Sequence, residues 1–106
     1  MTGIISKLEN YINLATSGVE TDIDLIMRDL NGNLNIADSK FIDYALSLVN
    51  SPACVERITQ YLFMGTQIQR NYCTLFFNRR CKKGDWDLVK KAYSMGLIDE
   101  KQAFSK

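Results

Sequence analysis

The sequence predicts an all-α fold, an irregular bundle of five to six short antiparallel helices. Three observations predict it. Apolar side chains recur at intervals of three and four along most of the chain, the period of a helix with one buried face. The single proline and most of the six glycines fall at the ends of these periodic stretches rather than inside them. Residues with N-cap chemistry stand just before several of the stretches. With 46% hydrophobic and 24% charged residues, the 106-residue chain has the composition of one globular domain, 1–106. A chain of this length buries about two thirds of the surface its unfolded form exposes, so it needs no metal or disulfide to fold.

The first helix is expected over residues 3–15, with Ile4, Ile5, Leu8, Tyr11, Ile12 and Ala15 on one face and Thr16-Ser17-Gly18 as its end. The second is expected over 22–30, capped by Thr21, with Asp22 and Asp24 at the positive end of the dipole and Ile23, Ile26, Met27 and Leu30 as its stripe. Asn31-Gly32 breaks it. The segment 29–38 places oxygen-bearing side chains at alternate positions and looks superficially like the calcium loop of EF-hand and dockerin modules. Counted from Asp29, however, the sixth position is Leu34 where that loop has glycine, and the twelfth is Lys40 where it has a carboxylate. The segment therefore reads as an Asn/Gly-rich turn, with Asp38 or Ser39 capping a third helix that runs to about residue 50 through Phe41, Ile42, Ala45, Leu46, Leu48 and Val49.

Ser51 as N-cap and Pro52 in the first helical position open a fourth helix over 52–64, which presents Val55, Ile58, Leu62 and Phe63 and stops at Gly65. The fifth, 66–84, is the segment around which the chain is organised. Thr66 with Gln69 has the form of a capping box, Ile68, Tyr72, Leu75, Phe76 and Arg79 share a face, and Gly84 marks the stop. Arg79, Arg80, Lys82 and Lys83 crowd its last turns, where the negative end of the helix dipole favours cations. Asp85 is expected to cap a sixth helix over 86–95, carrying Leu88, Val89, Ala92 and Tyr93. Gly96-Leu97 has the form of a left-handed stop, and Asp99 with Gln102 of a second capping box, opening a terminal turn through Ala103 and Phe104.

Successive helices joined by short capped turns are the arrangement of α-solenoids. The stretch Gln67-Ile68-Gln69-Arg70-Asn71-Tyr72-Cys73-Thr74-Leu75, with Gly84-Asp85 and Leu88-Val89-Lys90-Lys91-Ala92, resembles a HEAT-type repeat. Arg70 and Gly84-Asp85 match that family's arginine and Gly-Asp. Gln69 stands where the family has an apolar residue, and Tyr72 and Phe76 take positions it gives to small ones. The resemblance covers the C-terminal half. It implies a HEAT-like, α-solenoid-like stack whose concave face binds a partner, and it implies no chemistry.

Composition narrows the function classes. The chain has no histidine, which removes the commonest general base and zinc ligand. It has neither a G-x-G-x-x-G nor a P-loop motif, and the carboxylate pairs Asp22/Asp24 and Asp85/Asp87 are spaced i, i+2, which points them to opposite sides of a helix. No enzymatic activity, cofactor or metal is expected. Cys54, Cys73 and Cys81 form an odd set without a C-x-x-C pair, indicating free thiols in a reducing compartment, and Cys81, between Arg80 and Lys82-Lys83, is the candidate reactive thiol. No apolar run approaches the ~18–20 residues of a membrane span, and MTGIISKLENY lacks the layout of a signal peptide, so the expected location is cytoplasmic.

Charge is divided along the chain. Residues 1–50 carry three basic and seven acidic side chains, net −4, and residues 51–106 carry ten basic and five acidic, net +5. The basic tract Arg70, Arg79, Arg80, Lys82, Lys83, Lys90 and Lys91, with Trp86, is the candidate binding site. If 66–84 is one helix, Lys83 and Lys82 fall beside Arg79 at i+4 and i+3. The leading expectation is a small non-enzymatic protein-interaction module, an adaptor or scaffold. It would dock another protein or a second copy through the basic face of 66–84 or an aromatic groove near Phe77 and Trp86. The alternative is nucleic-acid binding by the 70–91 face, with Tyr72, Phe76, Phe77 and Trp86 supplying stacking. A third reading, an immunity-type partner of another protein, would use the acidic Asp22, Asp24 and Asp29.

Overall fold

Seven α-helices make up the computed structural model, which describes residues 4–106: α1 (Ile4–Thr16), α2 (Glu20–Arg28), α3 (Ile36–Leu46), α4 (Pro52–Met64), α5 (Gln67–Arg80), α6 (Asp85–Ser94) and α7 (Glu100–Ala103). The fold is all-α and bundle-like, with no strand among the described residues. The expected start at Gly3 and the inward faces of Ile4 and Ile5 lie outside what is described. The helices group into two compact units, Met1–Arg57 and Ile58–Lys106, and the division falls within α4.

In the first unit α1 packs on α2 and α3. The buried apolar residues are Tyr11 and Ala15 of α1, Ile23, Ile26 and Met27 of α2, Ile42, Ala45 and Leu46 of α3, together with Leu30, Val49 and Cys54. Two helix starts differ from expectation. α2 begins at Glu20 with Val19 at its N-cap, so Thr21 lies inside the first turn and caps nothing. The Ser17 hydroxyl oxygen accepts from the Val19 N–H at 3.0 Å, turning the chain into the helix earlier than a Thr21 cap would. α3 begins after Asn35, whose Oδ1 accepts from the Asp38 N–H at 2.8 Å. Asp38 instead receives Lys7 Nζ at 2.7 Å. α3 also ends at Leu46, and Leu48 and Val49 continue in tight turns bonded to Ala45 O and Leu46 O. In the segment tested as a calcium loop, the side-chain oxygens serve the turn: Asp29 accepts from the Tyr11 hydroxyl at 2.8 Å and Asn31 Oδ1 from the Asn33 N–H at 2.8 Å.

In the second unit α5 packs on α6 and α7, and α6 on α7. Between α4 and α5 the chain reverses at Gly65, where a Cβ would lie 2.6 Å from the Tyr61 carbonyl oxygen and 2.8 Å from Gln69 Oε1, so only glycine fits. The Thr66/Gln69 capping box forms as expected, as does the Asp99/Gln102 box at α7. α6 closes with Gly96 at φ +75°, the Leu97 N–H donating to Ala92 O at 3.0 Å and the Gly96 N–H to Tyr93 O at 2.9 Å, the paired bonds of a Schellman stop.

The central helix departs from its reading in two respects. Its buried residues are Cys73, Thr74, Phe76, Phe77 and Asn78, whereas Ile68, Tyr72 and Leu75 are half-buried and Arg79 is exposed. At 100° per residue, the centre of the buried face is therefore turned by roughly 160° from the expected stripe, with Phe76 common to both. The cause is a row of polar residues, Arg70, Thr74 and Asn78, spaced i, i+4, i+8 on one side and each bonded to main-chain carbonyls: Arg70 to Leu97 O and Gly65 O, Thr74 to Arg70 O, Asn78 to Ala103 O and Ser105 O. Satisfied in this way, polar side chains can sit inward where a hydropathy pattern places apolar ones. The helix also stops at Arg80, short of Gly84. Cys81 adopts a left-handed conformation, φ 49°, and Gly84, also left-handed, leads into α6, whose first residue is Asp85.

Candidate functional site

The turn from α5 to α6 is fastened by one carboxylate. Asp85, buried at the start of α6, accepts from Arg80 Nε at 2.9 Å through Oδ2 and from Arg80 NH2 at 3.0 Å through Oδ1, and Oδ2 also takes the Lys82 N–H at 3.0 Å. Asp85 is thus the anchor of the turn rather than the N-cap expected of it; Gly84 holds that position. The Arg80 guanidinium lies over the rings of Phe76, 5.3 Å away, and Phe77, 5.7 Å away, which themselves meet edge to face at 5.1 Å. Asn78, from the polar row, donates to Ala103 O at 2.9 Å and Ser105 O at 2.7 Å and so ties the segment after α7 against α5.

These restraints leave a cleft of about 360 Å³ lined by Phe77, Asn78, Cys81, Lys82, Asp85, Trp86, Ala103, Phe104 and Lys106. Phe77 is buried, but Trp86 is 44% and Phe104 64% exposed. Their rings meet at 5.4 Å, tilted by 36°. Lys82 and Lys106 bring ammonium groups to the lining, and Cys81 brings an exposed thiol. Among the described residues no buried side-chain nitrogen or oxygen lacks a partner, so what the cleft leaves unsatisfied is apolar aromatic surface in water.

The sequence-derived basic tract disperses in this geometry. Lys82 and Trp86 line the cleft, Lys83 is exposed in the adjoining turn, and Arg79 and Lys90 are exposed on α5 and α6. Lys91 Nζ stands 5.6 Å over the Phe63 ring. Arg70 spends its guanidinium on Leu97 O at 2.8 Å, Gly65 O at 2.7 Å and Gln67 Oε1 at 3.1 Å, fastening the α4–α5 turn to the end of α6. Arg80 is held by Asp85. The helical stripe expected of Arg79, Lys82 and Lys83 is not formed, because the helix ends before the lysines.

Sequence reasoning missed Phe104, Lys106 and Asn78 as members of the cleft. Phe104 had one usable signal: it follows the Asp99/Gln102 box closely enough that the terminal turn must present it beside Ala103, which is buried. Among the described residues no three His, Cys, Asp or Glu side chains are grouped to hold a metal, and no helix is long and apolar enough to cross a membrane. Burial pushes the Cys73 thiol far above its ordinary range, which makes it inert. Compared with known proteins, the chain matches no family model, and no curated protein or solved structure is significantly similar to it.

Proposed function

We propose that this chain is a small non-enzymatic protein-interaction module that docks a partner protein in the cleft between Trp86 and Phe104. The carrying observation is that pair of rings: two large aromatics, each close to half exposed or more, set side by side over a buried phenylalanine on a framework whose polar groups are otherwise satisfied. Aromatic residues in a preformed depression are the usual anchors of protein interfaces, since they bury much surface at little cost in side-chain entropy. The HEAT-type likeness of the C-terminal half points to the same use, a helix-lined surface that receives a partner. Three free thiols, two of them buried, suit a cytoplasmic setting.

Selection from a displayed random-peptide library tests the proposal. The native chain should enrich a family of sequences that the double variant Trp86→Ala/Phe104→Ala, with its helical circular dichroism retained, does not enrich. Equal enrichment by both would remove the cleft as the docking site. Salt-sensitive binding of an oligonucleotide with no ring-dependent peptide would favour the nucleic-acid alternative instead.

A further inference from the structure

Resting on the docking proposal, we infer that the occupant of the Trp86–Phe104 cleft is an acidic peptide segment carrying a single apolar anchor side chain. The lining contains three charged side chains, Lys82, Lys106 and Asp85. The carboxylate is already committed: both of its oxygens accept from Arg80 and one also from the Lys82 N–H, and its side chain is only 5% exposed. It presents no uncompensated negative charge to an incoming ligand. The two ammonium groups have no such internal partner within 4.0 Å among the described residues, so the side chains of the lining carry uncompensated positive charge. Charge of that sign selects carboxylates and repels basic segments.

The interior has the opposite character. Phe77, Ala103 and the rings of Trp86 and Phe104 offer an apolar recess of about 360 Å³, near the lower end of ligand-sized clefts, roughly 300–1,000 Å³. A recess of that size takes one large side chain rather than the length of a helix. Nucleic acid is less well matched. The planar guanidinium forks that grip phosphate in pairs are spent internally at Arg70 and Arg80. The Trp86 and Phe104 rings are tilted 36° to one another rather than presented as a flat platform for a base.

The chain has one tryptophan, and it lies in the cleft, so its emission reports occupancy directly. The probes are short synthetic peptides of Asp and Glu around one central Leu, the same peptide with Asn and Gln for the acids, with Lys for the acids, and with Ala for the Leu. The acidic Leu peptide should shift Trp86 emission at micromolar concentration. Each of the other three should bind about tenfold or more weakly. Lys82→Glu/Lys106→Glu should transfer the preference to the Lys peptide. Equal binding of the acidic and amide peptides would overturn the charge assignment and leave docking intact. Silence of all four, while library selection still returns ring-dependent sequences, would overturn the acidic class alone; silence in both would remove the docking proposal as well. A shift given only by an oligonucleotide would overturn the inference in favour of a phosphate ligand. A concentration-dependent shift of the unliganded protein, accompanied by a dimer mass, would overturn it in favour of a second copy.

Discussion

The two units of this chain spend their polar side chains in different ways. Residues 1–57 carry four basic and eight acidic groups, net −4, and residues 58–106 carry nine and four, net +5. In the first unit the cross-linking bonds run mainly from side chain to side chain, as in Lys7 to Asp38, Tyr11 to Asp29, and Arg57 to Asp24 and Glu20. In the second, Arg70 and Asn78 reach main-chain carbonyls at the ends of other helices, and Asp85 reaches a main-chain N–H as well as Arg80. A bond to the backbone fixes where a segment runs, whereas an exposed ion pair constrains only two flexible tips. The second unit therefore holds a shaped cleft with a pair of aromatic rings left in water, whereas the first exposes the large apolar side chains Val19, Leu25, Ile36 and Tyr44 on a net acidic background.

The largest expected effect tests whether the units are separable. Phe77→Ala should cost about 3–5 kcal/mol, the range for removing a fully buried aromatic side chain. Hydrogen exchange should then accelerate in α5–α7 while α1–α3 keep their protection. Equal acceleration in both would break the comparison.

Next comes the contrast between ion pairs. Asp85→Ala removes a buried carboxylate from beneath a guanidinium whose own side chain is 22% exposed, and should cost about 2–3 kcal/mol in chemical denaturation. The sequence alone places Arg80 in a cationic helix tip; its pairing with buried Asp85 takes it out of that tip and into the framework. Asp38→Ala, whose partner Lys7 is half exposed, should cost less than about 1 kcal/mol. Similar losses at the two sites would remove the distinction between framework and surface pairing.

A smaller effect belongs to the first unit. Burial, and then the hydrogen bond to Asp29, hold the Tyr11 phenol protonated well above its ordinary value of 10.0. The unfolded chain loses that proton first as pH rises, so the stability the group contributes is complete below about pH 10 and drains away above it. Tyr11→Phe should cost about 1 kcal/mol at neutral pH and make the alkaline fall in stability shallower. An unchanged alkaline slope would show that the phenol is not the group responsible.

The smallest expected change is a gain. Cys81 is the one described non-glycine residue with positive φ, so Cys81→Gly should stabilise by about 0.5 kcal/mol, relief of the left-handed penalty offsetting glycine's extra unfolded-state entropy. Thermal melts would detect it, and a lower melting temperature would mean that the thiol bonded to Asn78 O contributes more than the backbone strain removes.

Much of the helical order was legible because it is written in bonds between near neighbours. Pro52 at the head of α4, the Thr66/Gln69 and Asp99/Gln102 boxes, and the Gly96-Leu97 stop each need only a few consecutive residues, and each forms where the sequence placed it. The acidic and basic halves are equally a property of the sequence. What only the tertiary structure decided are the features whose partners lie far along the chain. Arg70 is placed by the sequence in a basic binding tract, and nothing in the spacing assigns Leu97 O to it or Ala103 O and Ser105 O to Asn78. With that row turned inward, the buried face of α5 rotated away from its apolar stripe, and the Asp85 carboxylate ended the helix at Arg80 and took that guanidinium out of the cationic tip. The cleft is the consequence: Trp86 and Phe104 become neighbours only when the end of the chain is folded back against α5, because a helix end is placed by what satisfies its carbonyls and not by its own hydropathy.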